Sequence, residues 1–173
     1  MKFDPCIVQT RVASPLGTLT LAATPCGLAG VWFDDQRHRP LALNPAPGES
    51  VAAWPWVDHH PVLLQAARQL LQYFAGHPAP FDLPLDLSGG TVFQQAVWQG
   101  LQRIPPGQTS SYSGLSQQLG RARAARAVGA AIGRNPLSIV VPCHRVVGAR
   151  GSLVGYAGGL ARKSALLALE ALI

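Results

Sequence analysis

The chain has 173 residues, of which 48% are hydrophobic and 13% are charged, and this composition excludes a disordered protein. No apolar run is long enough to span a bilayer, and the length allows one domain or two small ones. The formal charge of +6 is divided unevenly, because residues 1–90 carry five basic and seven acidic side chains whereas residues 91–173 carry nine and one.

The N-terminal residues 1–6 lack the apolar stretch and the small-residue cleavage site of a signal peptide, so we do not expect secretion. We therefore expect a soluble, cytoplasmic protein. In that reducing compartment an odd number of cysteines, here three, indicates free thiols rather than a disulfide framework.

The first half is predicted to form strands followed by one helix. Residues 18–22 and 28–33 flank a turn at residues 25–27, a pattern typical of a β-hairpin. Residues 34–61 contain five prolines and little periodicity, which predicts a long surface loop. Residues 62–75 have apolar side chains three and four apart, with Pro61 suited to the first turn and Gly76 to the end, so they predict a helix. The proline-rich residues 77–80 then break the chain.

Four side chains of this half are candidate zinc ligands: Cys6, Cys26, His59 and His60. Structural zinc sites pair their ligands at short, regular spacings such as Cys-x-x-Cys, and none occurs here. We predict no metal site and no cofactor.

The second half is predicted to be mostly helical. Thr91 and Gln94 form a capping box for a helix whose apolar positions continue to Ile104, before residues 105–107 end it. Residues 113–119 and 124–132 follow as two short helices with the spacing of a helix-turn-helix.

The second of these short helices offers almost nothing but small side chains and Arg126. Such short side chains cannot read the major groove, but they would let the backbone lie close to DNA in the minor groove, with Arg126 inserted in the base stack. The alternative is an alanine-rich helix packed in the core. The basic charge of this half also favours a polyanionic partner, although a solvated basic surface would have the same composition.

Residues 91–173 contain one cysteine, Cys143, one histidine, His144, and one acidic side chain, Glu170. A nucleophilic thiol needs a base, and the base works better with a group that orients it and stabilises its charge. Residues 139–147 form an apolar run that we expect to be extended and broken at Pro142, so that the thiol lies where a strand ends. Neighbouring side chains of an extended chain point to opposite faces, which predicts no direct contact between Cys143 and His144.

Several motifs of the second half resemble one known family, the O6-alkylguanine-DNA alkyltransferases or methylated-DNA–protein-cysteine methyltransferases. In chain order they are Phe93-Gln-x-x-Val-Trp98, Ile104-Pro-x-Gly107, Thr109-x-Ser-Tyr112, Ala125-Arg-Ala-Val-Gly129, Asn135-Pro136, Val141-Pro-Cys-His-Arg-Val146, Gly155-Tyr-Ala-Gly-Gly159, Lys163 and Leu166-Leu-x-x-Glu170. The first half is similar more loosely, through Ser14-Pro-Leu-Gly-x-Leu19. The resemblance implies an α+β protein. Residues 1–85 would form a ribonuclease H-like domain of a small sheet and a helix, and residues 86–173 a mostly helical domain with a winged-helix-like helix-turn-helix.

The resemblance also implies a function, the direct reversal of DNA damage. The protein would bind double-stranded DNA containing alkylated guanine through the minor groove, flip the damaged base out, and move its alkyl group irreversibly to Cys143, once per molecule. Arg126 would fill the space that the base leaves. The implied DNA-binding residues are Tyr112, Ala125, Arg126, Ala127, Gly129 and Ala130. We expect a monomer, with cooperative binding on DNA left open.

The same resemblance implies the roles of the catalytic residues. His144 would take the thiol proton through a water molecule, Glu170 would hold His144, and Asn135 would tie down the turn that carries Cys143. Tyr112 would help to rotate the nucleotide and would donate a hydrogen bond to the guanine ring.

The pocket residues implied by the family are Val146, Tyr156, Ala157, Gly158 and Lys163. The backbone N–H of Ala157 and the amine of Lys163 are the further donors to the leaving guanine. The carbonyls of Cys143 and Val146 would accept from its exocyclic amine. Ala157 stands where many members have serine, and Ser138 where many have proline. The range of alkyl groups, and activity on O4-alkylthymine, therefore stay open.

Two other classes of function compete with this interpretation. Alkyltransferase-like damage-recognition modules lack the reactive cysteine, so Cys143 argues against that class. A thiol hydrolase would turn over an ester substrate, and a helix-turn-helix regulator would bind one DNA sequence tightly.

Overall fold

The computed structural model describes residues 1–77 and 80–171, and its N-terminal half is an antiparallel sheet with one helix against it. The strands β1 (Val8–Val12), β2 (Leu19–Thr24) and β3 (Gly27–Phe33) lie in the order β1-β2-β3. Helix α1 spans Pro61–Phe74 and begins with its proline in the first turn, where the missing N–H costs nothing. The predicted hairpin and helix are confirmed. The predicted break at residues 77–80 lies partly outside the described residues.

The sheet is buried on both faces. On one face, leucines of β2 and β3 pack against α1 in the main core, which continues into the C-terminal half. On the other face, a smaller cluster gathers around Trp32 beneath the loop of residues 34–60, and a short 3₁₀ turn (Leu41–Leu43) contributes Leu43 to it. The long loop therefore covers one side of the sheet.

The described residues of the C-terminal half form four α-helices and one short pair of parallel strands. They are α2 (Val92–Leu101), β4 (Ser110–Ser111), α3 (Tyr112–Gln118), α4 (Ala125–Gly133), β5 (Val146–Val147) and α5 (Leu160–Ala171). The capping box is confirmed, since Thr91 Oγ1 accepts from the Gln94 N–H and Gln94 Oε1 accepts from the Thr91 N–H. Helix α2 ends at Leu101 rather than Ile104, which lies in the following turn. The indole of Trp98 donates to the carbonyl of Ala131 at 2.9 Å and joins α2 to α4.

The prediction of an extended run at residues 139–147 is wrong for most of its length. Ile139 adopts a left-handed conformation with φ of 73°, and Cys143–Arg145 form a 3₁₀ turn before the chain enters β5. Asn135 explains this path, because its Nδ2 donates to the Val141 carbonyl at 2.8 Å and its Oδ1 accepts from the Leu137 N–H at 3.0 Å. These buried hydrogen bonds outweigh the local preference of β-branched residues for strands.

The two halves are joined by backbone hydrogen bonds at the edge of the sheet. The N–H of Val31 in β3 donates to the Pro136 carbonyl at 2.8 Å, and the Ser138 N–H donates back to the Val31 carbonyl at 3.0 Å. The segment that leads to Cys143 is thus built onto the N-terminal sheet. The boundary between residues 85 and 86 stays a prediction. In the described part of the chain, no helix has the length and apolar character needed to cross a membrane.

Candidate active site

Cys143 begins the 3₁₀ turn and is only 5% exposed. Burial raises the pKa of its thiol, a shift opposed by Asn135 and by the positive charge of Lys163. The resting side chain is therefore a thiol rather than a thiolate, and it needs a base before it can act as a nucleophile.

His144 is fully buried beside Cys143 and is held by Glu170. Its Nε2 lies 2.8 Å from Glu170 Oε1, and its Nδ1 has no hydrogen-bond partner among the described protein atoms. Burial lowers the pKa of His144, against the opposing effect of Glu170, so the imidazole is neutral. Since a carboxylate only accepts, the proton is on Nε2 and Nδ1 is free to accept one.

Glu170 is the centre of a buried network at the C-terminal end of α5. Arg145 donates to both of its oxygens, from Nε to Oε2 and from Nη2 to Oε1, each at 2.8 Å. The hydroxyl of Tyr73 also donates to Oε1 at 2.8 Å. Burial disfavours the charge, but the hydrogen bonds from His144 and Arg145 outweigh it and hold the pKa of Glu170 at about 2. Glu170 is therefore ionised at neutral pH.

Lys163 is buried beneath the loop between β5 and α5 and binds its carbonyl groups. Its Nζ donates to the carbonyls of Val146 at 2.5 Å, Val154 at 2.6 Å and Gly155 at 3.4 Å, and the side chain is fully buried. Burial lowers the pKa of Lys163, an effect opposed by Cys143. The N–H groups of the Lys163 ammonium are therefore directed at carbonyls of the segment that joins β5 to α5.

A cavity of about 320 Å³ opens beside α4, and it brings together several of the predicted residues. Its lining includes Tyr112, Gly129, Ala130, Tyr156 and Ala157. The Tyr112 hydroxyl donates to the carbonyls of Val154 and Gly155 at 3.2 and 3.3 Å, across the mouth of the loop. Burial raises the pKa of Tyr112, so its hydroxyl is a donor at neutral pH. Gly158 is buried next to the ring of Tyr156.

Helix α4 divides into a packed face and an open face. Val128, Ala131 and Ile132 are buried, whereas Arg126, Ala127 and Ala130 are exposed and Ala125 is half-buried. Arg126 forms no salt bridge with any described residue. Both alternatives from the sequence therefore apply to this helix. One face packs on α2 and α3 in the core, and the other presents small side chains and Arg126 to solvent.

Two residues of the site lack any role in the sequence analysis. Arg145 lies inside a quoted motif, and a buried cation in an apolar run is a signal that could have marked it. Tyr73 belongs to α1, 97 positions from Glu170, and nothing in its local sequence indicates that contact. Among residues 1–77 and 80–171, no group of three or more His, Cys, Asp or Glu side chains could hold a metal ion.

Comparisons with known proteins agree over nearly the whole chain. The family model described as 6-O-methylguanine DNA methyltransferase, ribonuclease-like domain, matches residues 7–87, and the DNA binding domain of the same name matches residues 92–172. A methylated-DNA–protein-cysteine methyltransferase of Mycolicibacterium paratuberculosis is 46% identical over 95% of this chain and 92% of its own length. One from Methanosarcina acetivorans is 42% identical over 91% and 94%.

Solved structures are similar to the same extent. The crystal structure of Mycobacterium tuberculosis OGT in complex with DNA has a TM-score of 0.80 and 44% identity, covering 94% of this chain and 92% of that one. The crystal structure of Mycobacterium tuberculosis O6-methylguanine methyltransferase has a TM-score of 0.81 and 43% identity, covering 96% and 93%.

Proposed function

The chain belongs to the methylated-DNA–protein-cysteine methyltransferase family, and from this we propose that it flips O6-alkylguanine out of duplex DNA and transfers the alkyl group to Cys143. The protein is a DNA-binding methyltransferase of DNA repair. We also propose which residue performs each step. The observation that carries it is the buried Cys143 beside a neutral, carboxylate-held His144.

The thiol is activated by proton transfer to His144. Its Nδ1 is the acceptor, because Nε2–H is bound to Glu170. Cys143 and His144 have no direct hydrogen bond, so a water molecule between Sγ and Nδ1 carries the proton. The imidazolium that forms is stabilised by the ionised Glu170, which the two-point contact of Arg145 keeps in place.

DNA is bound on the exposed face of α4, in the minor groove. The small side chains Ala127 and Ala130 let the helix approach the backbone closely, and Arg126 enters the base stack as the damaged nucleotide leaves. A base inside the stack cannot present O6 to a buried thiol, so extrusion is required. The base then enters at the cavity beside α4, which Tyr112 and Ala157 line. Cys143 does not line this cavity, so the base has to pass beyond it to reach the thiol.

Transfer breaks the bond between O6 and the alkyl carbon and forms a bond from that carbon to the sulfur. The electron pair stays on guanine, where donors must meet the developing charge. The proposed donors are the N–H of Ala157 and the Tyr112 hydroxyl, which has to turn from the carbonyls of Val154 and Gly155 to the base. The contacts of Lys163 favour an indirect role, in which it holds the loop that carries them.

Guanine is selected by the backbone carbonyls of Cys143 and Val146. Cys143 O accepts the Val146 N–H and Val146 O accepts Lys163, so each carbonyl keeps one lone pair for the exocyclic amine.

The product is a thioether whose sulfur is a very poor leaving group. We therefore propose that each molecule reacts once. We also propose that the protein acts as a monomer. Its cytoplasmic location stays a prediction.

Intact-protein mass after incubation with a duplex that carries one O6-methylguanine tests the proposal. We expect a gain of one methyl group, mapped to Cys143 and saturating at one per protein. Cys143→Ala should abolish the gain and retain DNA binding, whereas changing the exposed Cys6 and Cys26 to alanine should not alter it. Tight binding of the damaged duplex without a mass gain would instead indicate a damage-recognition module.

A further inference from the structure

Tyr73 lies in the N-terminal half, yet its hydroxyl ends at the active-site carboxylate. Oη donates to Glu170 Oε1 at 2.8 Å, and the side chain is 2% exposed. The rings of Phe74 and Phe81 lie 5.5 and 5.9 Å from its ring and hold it in the core. The contact is therefore a fixed part of the site rather than a surface encounter.

Glu170 Oε1 accepts from three donors, whereas Oε2 accepts only from Arg145 among the described residues. Tyr73 Oη, His144 Nε2 and Arg145 Nη2 each lie 2.8 Å from Oε1. A carboxylate oxygen has about two lone-pair directions, so the three donors compete for the same negative charge. The hydrogen bond from Tyr73 therefore weakens the one to His144.

Orientation of the carboxylate does not depend on Tyr73. Arg145 already fixes both oxygens of Glu170 through its planar fork, at 2.8 Å each, and Nη1 of the same guanidinium is anchored to the Ile104 carbonyl. What the Tyr73 hydroxyl changes is the charge that Glu170 presents, not its place.

We propose that Tyr73 is a positioning residue for alkyl transfer, which acts through Glu170 and limits how strongly His144 holds a proton. The inference rests on the proposed roles of Cys143 and His144. A base that binds a proton too tightly is already protonated in the resting protein and cannot accept the thiol proton. The N-terminal domain would thus take part in the chemistry through one hydroxyl group.

Other groups face this network from the elements packed around it. They are Cys143, Arg145 and Lys163 of the C-terminal half, the hydroxyl of Tyr156, and Arg103 at the cavity behind Tyr73. Burial raises the pKa of Cys143 and of Tyr156. Burial lowers the pKa of Lys163, whose ammonium is held by three carbonyls.

The test is the pH profile of single-turnover methyl transfer from a duplex O6-methylguanine in the Tyr73→Phe protein. Without the hydroxyl, more negative charge is left for His144, so its pKa rises and the acidic limb of the profile moves to higher pH. We expect a move of about half a pH unit, which is about threefold slower transfer at a pH on that limb. Phe81→Leu disturbs the same ring packing without removing a hydroxyl, and it should leave the limb in place.

An acidic limb that stays in place or moves to lower pH in Tyr73→Phe overturns the inference. A merely structural role would slow transfer equally at every pH. If the wild-type protein gains no methyl group on Cys143, the proposed function fails instead, so the two failures are distinguishable. Should Tyr73→Phe not fold, 3-fluorotyrosine at position 73 is a stronger donor and must move the limb to lower pH, and any other result counts against the inference.

Discussion

Replacing Glu170 with glutamine should lower the free energy of unfolding by about 3 kcal/mol at pH 7. In the folded protein burial opposes ionisation of Glu170, but His144 and Arg145 hold its pKa at about 2, against a usual value of 4.5. At about 1.4 kcal/mol per pKa unit, this difference corresponds to about 3 kcal/mol of stabilisation. Glutamine keeps the shape of the side chain but leaves Arg145 buried without its ion pair, a loss that typically costs about 3–5 kcal/mol.

The pH dependence of this stabilisation follows from a pKa that is lower in the folded state than in the unfolded one. The contribution is complete well above pH 4.5 and is lost as the pH falls toward 2, by about 1 kcal/mol at pH 4 and about 2 kcal/mol at pH 3. Urea unfolding should therefore show a difference in unfolding free energy between the wild type and Glu170→Gln, and this difference should become smaller from pH 7 to pH 3. Glu49→Gln removes an exposed carboxylate and should show no such difference. A difference of constant size at both pH values would refute the electrostatic account.

Three further changes test the DNA face and the loop. Arg126→Ala should slow methyl transfer from duplex DNA at least about tenfold more than transfer from the free base. Arg68→Ala removes the same charge from the exposed side of α1 and should affect neither, and equal losses on both substrates in Arg126→Ala would contradict base flipping by Arg126. Lys163→Met should lower the unfolding free energy by about 3 kcal/mol and speed amide exchange in residues 146–155, and unchanged exchange would count against its role in the loop. Gly155→Ala would place Cβ 2.9 Å from the Tyr112 hydroxyl and should slow transfer. Gly159 also has a left-handed backbone but no atom close to an added Cβ, so Gly159→Ala should only reduce stability.

The elements with a clear local pattern could be predicted from the sequence. Pro61 and the apolar spacing mark α1, and Thr91 with Gln94 marks the start of α2. Strand β1 was missed because its fully buried residue is the polar Gln9, whereas its two valines, Val8 and Val12, are only half-buried, which reverses the usual pattern of buried apolar and exposed polar side chains. The Nε2 of Gln9 is satisfied by the Trp54 carbonyl at 2.8 Å, a partner that local sequence does not reveal.

In the active site, too, some features could be predicted from the sequence and others could not. The scarcity of cysteine, histidine and acid in residues 91–173 indicates Cys143, His144 and Glu170, and the structure brings His144 and Glu170 together beside the cysteine. The path of the chain around them could not be predicted, because the segment that leads into the left-handed Ile139 is held by backbone hydrogen bonds of Pro136 and Ser138 to the distant Val31, as well as by Asn135. Tyr73 escaped for the same reason, since its partner is brought to it only by the packing of the two halves.

Both edges of the three-stranded sheet are covered by other segments of the chain, which protects the protein from self-association through these edges. An open edge strand presents unpaired N–H and carbonyl groups that can recruit a strand from another molecule. Here Trp56 bridges to Gln9 at the edge of β1, while Leu85 and Leu137 bridge to Leu28 and Val31 at the edge of β3. The chain that carries the reactive cysteine therefore also occupies hydrogen-bonding positions on β3. An N-terminal half released from its partner, by proteolysis or during synthesis, would expose that edge and become prone to aggregate.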